Sequence, residues 1–122
     1  MTRYFISGHL DLTEAEFQEH YAFAIQKAFH EGGSFVVGDA RGADTMAQQF
    51  LHQLGCEYVR VFHMFEKPRN NVGNFRTSYG YLSDKERDEQ LTQWSDADIA
   101  WVRPGRESSG TAKNLQRRSS VQ

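Results

Sequence analysis

The chain has 122 residues, 14 of them basic and 16 acidic, for a formal net charge of −2. That balance excludes a strongly basic nucleic-acid coat protein. With 39% hydrophobic and 25% charged residues, the composition excludes disorder throughout and predicts one domain that buries about two thirds of its unfolded surface. Cys56 is the sole cysteine. It cannot form an internal disulfide and reads as a small buried apolar residue in a reducing compartment. No apolar run approaches the ~18 to 20 residues that span a bilayer, and Met1-Thr2-Arg3-Tyr4 leads into a strand instead of a signal peptide. The expected location is cytoplasmic, with no membrane partner.

Tyr4-Phe5-Ile6 is β-prone and stops at Ser7-Gly8, where the chain must turn. Thr13 and Glu16 form a capping box, and behind it Phe17, Tyr21, Ala24, Ile25, Ala28 and Phe29 recur at helical spacing until Gly32-Gly33. Phe35-Val36-Val37 reads as a second strand ended by Gly38. The next helix, Ala43 to Leu54, carries Met46, Ala47, Phe50, Leu51 and Leu54 on one face before Gly55.

Tyr58 to Phe62 forms a third strand and Ile99-Ala100-Trp101-Val102 a fourth. The fourth is preceded by a helix that Ser83 and Glu86 open as a second capping box. A last helix starts near Thr111, and residues 119–122 are expected to fray.

Strands alternating with helices predict an α/β fold: a small Rossmann-like three-layer sandwich, a mainly parallel sheet of four or more strands with helices on both faces. With strand order 3-2-1-4, the crevice between strands one and four is the expected ligand position.

The segments just past the strand ends therefore carry the candidate chemistry. Ser7, Gly8 and His9 follow strand one, while Gly38, Asp39, Ala40, Arg41, Gly42 and Asp44 follow strand two. Ser109, Gly110 and Thr111, with Ser108, open the last helix. Glycine turns into helix N-termini are candidate phosphate cradles, because free N–H groups and partial positive charge face the anion. Arg41 could hold a phosphate with its planar fork or form a salt bridge. Asp44 caps its helix, ties down its loop or touches the ligand, and Asp39 either accepts from a ribose hydroxyl or stabilises its turn. His9 is a polar site residue or a solvated one.

Residues 66–82 make a polar connection longer than ordinary loops. Arg69, Asn70, Arg76 and Tyr79, with Asn74, Phe75 and Tyr81, could form a lid that stacks on a base and clamps a phosphate. The histidines show no metal-ligand spacing, so no metal is expected. There is no GxSxG elbow, no P-loop and no complete GxGxxG.

Four pieces of the chain together resemble one known group. They are Ile6-Ser7-Gly8, the block Val37-Gly38-Asp39-Ala40-Arg41-Gly42-Ala43-Asp44 with Ala47, Ser95-Asp96-Ala97-Asp98, and Ser109-Gly110-Thr111. The group is the SLOG superfamily of Rossmann-like nucleotide-binding domains, which joins the Smf/DprA DNA-processing proteins, the Lonely-guy phosphoribohydrolases and the small YspA/YpsA-like proteins. The Gly-Asp-Ala-Arg-Gly-Ala-Asp run is most similar to the YspA/YpsA branch.

The resemblance implies a pocket for a nucleotide or nucleotide derivative between Gly8, the Arg41 turn and the Gly110-Thr111 turn, with no other cofactor required. It does not imply catalysis. Where Lonely-guy enzymes carry a glutamate three residues after the threonine, this chain has Asn114, and an amide cannot move a proton as a carboxylate can. Glu107 and Asp39 are the substitutes for a catalytic carboxylate. The expected function is therefore nucleotide binding or sensing. The alternatives are cleavage of a nucleotide's N-glycosidic bond and, against the charge balance, nucleic-acid binding. Aromatic residues in the 66–82 connection suit a homo-oligomeric contact.

Overall fold

The computed structural model describes residues 1–121, with side chains through Ser120. Five strands form one parallel sheet: β1 (Arg3–Ile6), β2 (Ser34–Gly38), β3 (Val59–Phe62), β4 (Arg76–Ser78) and β5 (Ala97–Ile99). Their order is β4-β3-β2-β1-β5, with every neighbouring pair parallel. The order reverses between β1 and β5, as the expected order 3-2-1-4 requires, and β4 is an additional edge strand.

Alternation along the strands divides the core into two faces. Ile6, Phe35, Val37, Val59 and Val61 pack against the helical run from Glu14 to His30 and against α3 (Ala43–Leu54), contributing Phe17, Tyr21, Ile25, Ala47 and Leu51. Phe5, Val36 and Phe62 point the other way onto Leu91 of α4 (Asp84–Trp94). Beside α4 lies α5 (Gly110–Val121). The result is a small Rossmann-like three-layer α/β sandwich. Among the described residues no helix is long and apolar enough to cross a membrane.

The first helix begins with the expected capping box: Glu16 N–H donates to Thr13 Oγ1 at 3.1 Å, and Thr13 N–H to Glu16 Oε1 at 3.0 Å. It runs as α1 (Glu14–Phe17), a π turn (Gln18–Ala22) and α2 (Phe23–His30). On the π turn, Tyr21 is buried and its hydroxyl donates to the Ser7 carbonyl at 2.7 Å. The same oxygen accepts the Trp101 N–H at 3.0 Å.

That second bond explains a shift of the last strand. The apolar run from Ile99 to Val102 reads as a strand, but pairing with β1 covers Ala97 to Ile99. Beyond Ile99 the backbone leaves the ladder to reach Tyr21, and the Trp101 ring stacks on His20 at 3.9 Å.

At α4 the Ser83 hydroxyl accepts the Glu86 N–H at 3.1 Å, but the Glu86 carboxylate takes the Leu82 N–H instead of that of Ser83. The predicted capping box is thus half formed. Helix α5 continues through Ser119 and Ser120, inside the stretch expected to fray, and Gln122 lies outside the described residues.

The segment from 66 to 82 is neither a free loop nor a lid. Arg76-Thr77-Ser78 joins the sheet as β4, in register with Arg60-Val61-Phe62. Before it, the buried Gln48 amide donates to the carbonyls of Gly38 and Asn70 at 3.0 and 3.2 Å, and its oxygen accepts the Val72 N–H at 3.0 Å. One side chain of α3 therefore pins the strap to the end of β2.

Candidate functional site

A cavity of about 440 Å³ lies over the carboxyl ends of β1 and β2, beside the reversal of strand order. It is lined by the loop after β1 (Ser7, Gly8, His9, Leu10, Asp11), the turn into α3 (Gly38, Ala40, Arg41, Asp44) and the opening of α5 (Ser109, Gly110, Thr111, Asn114). Phe5, Arg106 and three residues of α4, Asp84, Arg87 and Asp88, complete the wall.

Close packing shapes this space. A Cβ at Gly8 would run into the Tyr21 hydroxyl and the Ala43 side chain. Gly42 has φ +75°, and a Cβ there would strike the His9 and Leu10 carbonyls. The Ala43 N–H donates to the His9 carbonyl at 3.1 Å, which fastens the start of α3 to the loop after β1.

Several donors face the cavity without a protein partner among the described residues. Ser7 is 6% exposed and its Oγ makes no hydrogen bond. The first N–H groups of α5, at Gly110 and Thr111, have no acceptor, while the Ser109 hydroxyl caps the helix by accepting the Ala112 N–H at 3.2 Å. Arg41 is exposed at the rim and unpaired. His9 is buried, with Nε2 accepting the Arg103 N–H at 2.9 Å, so a neutral ring carries its proton on Nδ1. Burial and then the Arg103 charge push the His9 pKa down, favouring that neutral donor.

The cavity carboxylates differ in their pairing. Asp11 accepts from Arg103 and Arg106 at 3.1 and 2.7 Å, Asp84 from Arg69 and Arg87 at 2.8 and 3.0 Å, and Asp88 from Arg87 at 3.0 Å. Asp44 has no cationic partner within salt-bridge distance among the described residues. One oxygen, Oδ2, accepts the Ala40 N–H at 3.1 Å, and Oδ1 has no bond. Burial raises its pKa to about 7, with the Arg87 charge opposing and Asp88 reinforcing the shift.

Of the expected site residues, Ser7, Gly8, His9, Gly38, Ala40, Arg41, Asp44, Ser109, Gly110 and Thr111 line this one cavity. Gly42 stands behind it as the residue that caps α3. Asp39 is 1% exposed and turned away, held by Arg69 Nε and Nη2 at 3.1 and 2.7 Å and by Arg87 Nη1 at 3.1 Å. Burial opposes its charge, and the Arg69 hydrogen bonds outweigh burial, so its pKa falls below the ordinary value. A carboxylate committed in this way neither reaches a ribose nor moves a proton.

Glu107 is exposed and accepts the Gly105 N–H at 2.7 Å, outside the cavity. The lid residues also serve elsewhere. Arg69 is spent on Asp39 and Asp84, and Asn70 donates to the Asp39 carbonyl at 2.9 Å. Arg76 lies at the opposite, amino-terminal end of the sheet, beside Arg3 and Tyr58. Tyr79 covers the buried His63, with ring centroids 5.7 Å apart.

Sequence reasoning missed Asp11, Arg106, Asp84, Arg87, Asp88 and the structural use of Asn114, whose amide donates to Asp88 at 3.0 Å. The available signal was the charge of α4: Arg87 and Asp88 occupy the face of that helix turned toward the sheet, where apolar residues are usual. No family model, curated protein or solved structure matches the chain.

Proposed function

We propose that the cavity binds a nucleotide or nucleotide derivative through its phosphate. The observation that carries this reading is the orphaned, buried Ser7 hydroxyl lining the same cavity as the free N–H groups of Gly110 and Thr111. A buried hydroxyl without a partner costs stability unless a ligand or water completes it. Hydroxyl, helix N-terminus and an unpaired arginine together supply donors suited to an anion. The volume is within the range of small-molecule sites, and the resemblance to the SLOG superfamily supports the same ligand class.

A thermal-shift panel of nucleoside monophosphates, NAD, ADP-ribose and cyclic nucleotides tests it. A ligand at 100 times its Kd adds about 2.7 kcal/mol. The expected result is a selective shift that Arg41→Ala and Ser7→Ala reduce. No shift with any of these ligands overturns the reading.

Asp44 favours a second reading, cleavage of the ligand's N-glycosidic bond. A carboxyl that titrates near neutrality inside the cavity suits general acid–base work, and it replaces Glu107 and Asp39 as the group to test. Release of free base that Asp44→Asn abolishes supports hydrolysis. Absence of release under all conditions leaves binding alone.

A further inference from the structure

Every cavity carboxylate except Asp44 already has a guanidinium partner. Asp44 sits in the first turn of α3 with one oxygen tied to the Ala40 amide and the other unbonded. Gly38 lies so close that a Cβ there would come within 2.5 Å of Asp44 Oδ2 and 2.8 Å of Arg87 Cζ. Arg87, the nearest cation on α4, is saturated by Asp39, Asp84 and Asp88. An anion that enters this cavity therefore meets a buried carboxyl with no direct ion-pair partner among the described residues, the Arg87 charge acting on it only from a distance.

We propose that a phosphate-type anion enters the cavity together with one proton, and that Asp44 is the residue that takes the proton. The inference rests on the anion site described above and adds its coupling to pH. Two negative charges in one low-dielectric space repel strongly, and the cheaper state is the neutral carboxylic acid. Protonated Asp44 is also a donor, so its free oxygen turns from a repulsive group into a hydrogen-bond partner for an anion oxygen. The proton comes from solvent, and no covalent bond to the ligand is made or broken.

The other groups around Asp44 act in fixed directions. Asp39 at the end of β2, Asp84 and Asp88 on α4, and Asp11 after β1 are paired and favour its protonation. Arg41, Arg87, Arg106 and the more distant Arg69 favour its ionised form. Tyr21 stays neutral, its pKa pushed up to about 12 by burial. His9 is the remaining group able to titrate near neutrality, and its lowered pKa keeps it neutral over the upper part of that range.

The test uses sulfate, whose charge is constant over the range, and NAD, whose pyrophosphate charge is likewise constant. Their Kd values are measured by amide NMR from about pH 5.5 to 8.5. For the wild-type protein the Kd is expected to weaken close to tenfold per pH unit at the alkaline end, the slope of one linked proton. In Asp44→Asn the slope is expected to vanish. The Asp44 carboxyl carbon-13 resonance, followed against pH in the wild-type chain, is expected to titrate near neutrality and to move up by about one unit or more with saturating sulfate.

Binding that does not depend on pH, a slope that survives in Asp44→Asn, or a carboxyl midpoint that sulfate does not move overturns the coupling and leaves the anion site standing. Absence of binding by both probes at every pH overturns the anion site and the coupling with it. The carbon-13 titration needs no variant, so it decides even where Asp44→Asn folds poorly.

Discussion

Asp39 and Arg69 form a two-pronged ion pair, Nε to Oδ2 at 3.1 Å and Nη2 to Oδ1 at 2.7 Å. The Arg69 backbone N–H adds a third bond to the same carboxylate at 2.7 Å. The pair ties the strap after β3 to the end of β2, with Arg87 of α4 closing the far side. Asp39 is fully buried while Arg69 is partly exposed. Removing the aspartate takes one of three carboxylate partners from the buried Arg87 and the two-pronged contact from Arg69, and breaking a buried pair costs about 3–5 kcal/mol. Asp39→Ala is expected to lose about 3 kcal/mol in urea denaturation and Arg69→Ala clearly less.

The pH dependence of this pair has a definite sign. The folded pKa of Asp39 is depressed, so its contribution is complete above the unfolded value of about 3.9. It is lost as pH falls through the lower folded value. Acid denaturation of Asp39→Asn is expected to be flatter than that of the wild type below about pH 4.

Asp44 behaves in the opposite sense. Its folded pKa is raised to about 7, so the folded state holds its proton where the unfolded chain has released it. Its unfavourable contribution begins above the unfolded value of about 3.9, grows with pH and is complete above about pH 7. Asp44→Asn keeps an oxygen for the Ala40 N–H and removes the charge. The variant is expected to be more stable than wild type at pH 8, by an amount on the order of 4 kcal/mol, and to converge with it near pH 4. Equal stabilities at pH 8 would contradict the buried, unpaired carboxylate.

Two glycines share a positive φ but differ in ψ and in surroundings, Gly42 at ψ −124° and Gly55 at ψ 23° in the left-handed helical region. Gly42 has φ +75° and backbone carbonyls in the way of a Cβ, whereas Gly55 has φ +76° with nothing within 4 Å. Alanine at 55 is expected to cost about 1 kcal/mol for the left-handed backbone alone. Alanine at 42 meets a backbone outside the left-handed helical region as well as overpacking against His9 and Leu10, and is expected to cost about 2 kcal/mol more. Thermal denaturation of the two variants reads the difference.

His63 is 1% exposed, and neither ring nitrogen finds a partner among the described residues. Burying such groups unpaired costs about 1–3 kcal/mol. A phenylalanine there keeps the aromatic contact with Tyr79 and removes the polar atoms. His63→Phe is therefore expected to match or exceed wild-type stability, and a loss of more than about 1 kcal/mol would mean the imidazole has a partner in solution.

The elements legible in the sequence are those whose boundaries are punctuated locally. Thr13 with Glu16, Gly32-Gly33, Gly38 and Gly55 bracket the first helical run, β2 and α3, and the apolar spacing inside them obeys one period. β4 was illegible because Arg76-Thr77-Ser78 has no apolar alternation and gains its structure from pairing with β3. β5 was misplaced because its apolar run continues past the ladder, where Tyr21 rather than a strand takes the Trp101 N–H.

The site divides the same way. The turns after β1 and β2 and the opening of α5 could be read from glycine and strand-end position. Asp39's true partners lie 30 and 48 residues away, and no local pattern encodes that pairing. Nor does any local pattern show that the strap is held by Gln48 instead of free to close over a ligand.

The most direct test of the anion site is an amide NMR titration of the chain with nucleoside 5′-monophosphates. The account predicts perturbations concentrated at Ser7, Gly8, Arg41, Gly110 and Thr111, weakened in Arg41→Ala. Unmoved resonances at these positions, or perturbations confined to the opposite end of the sheet around Tyr58 and Arg76, would contradict it.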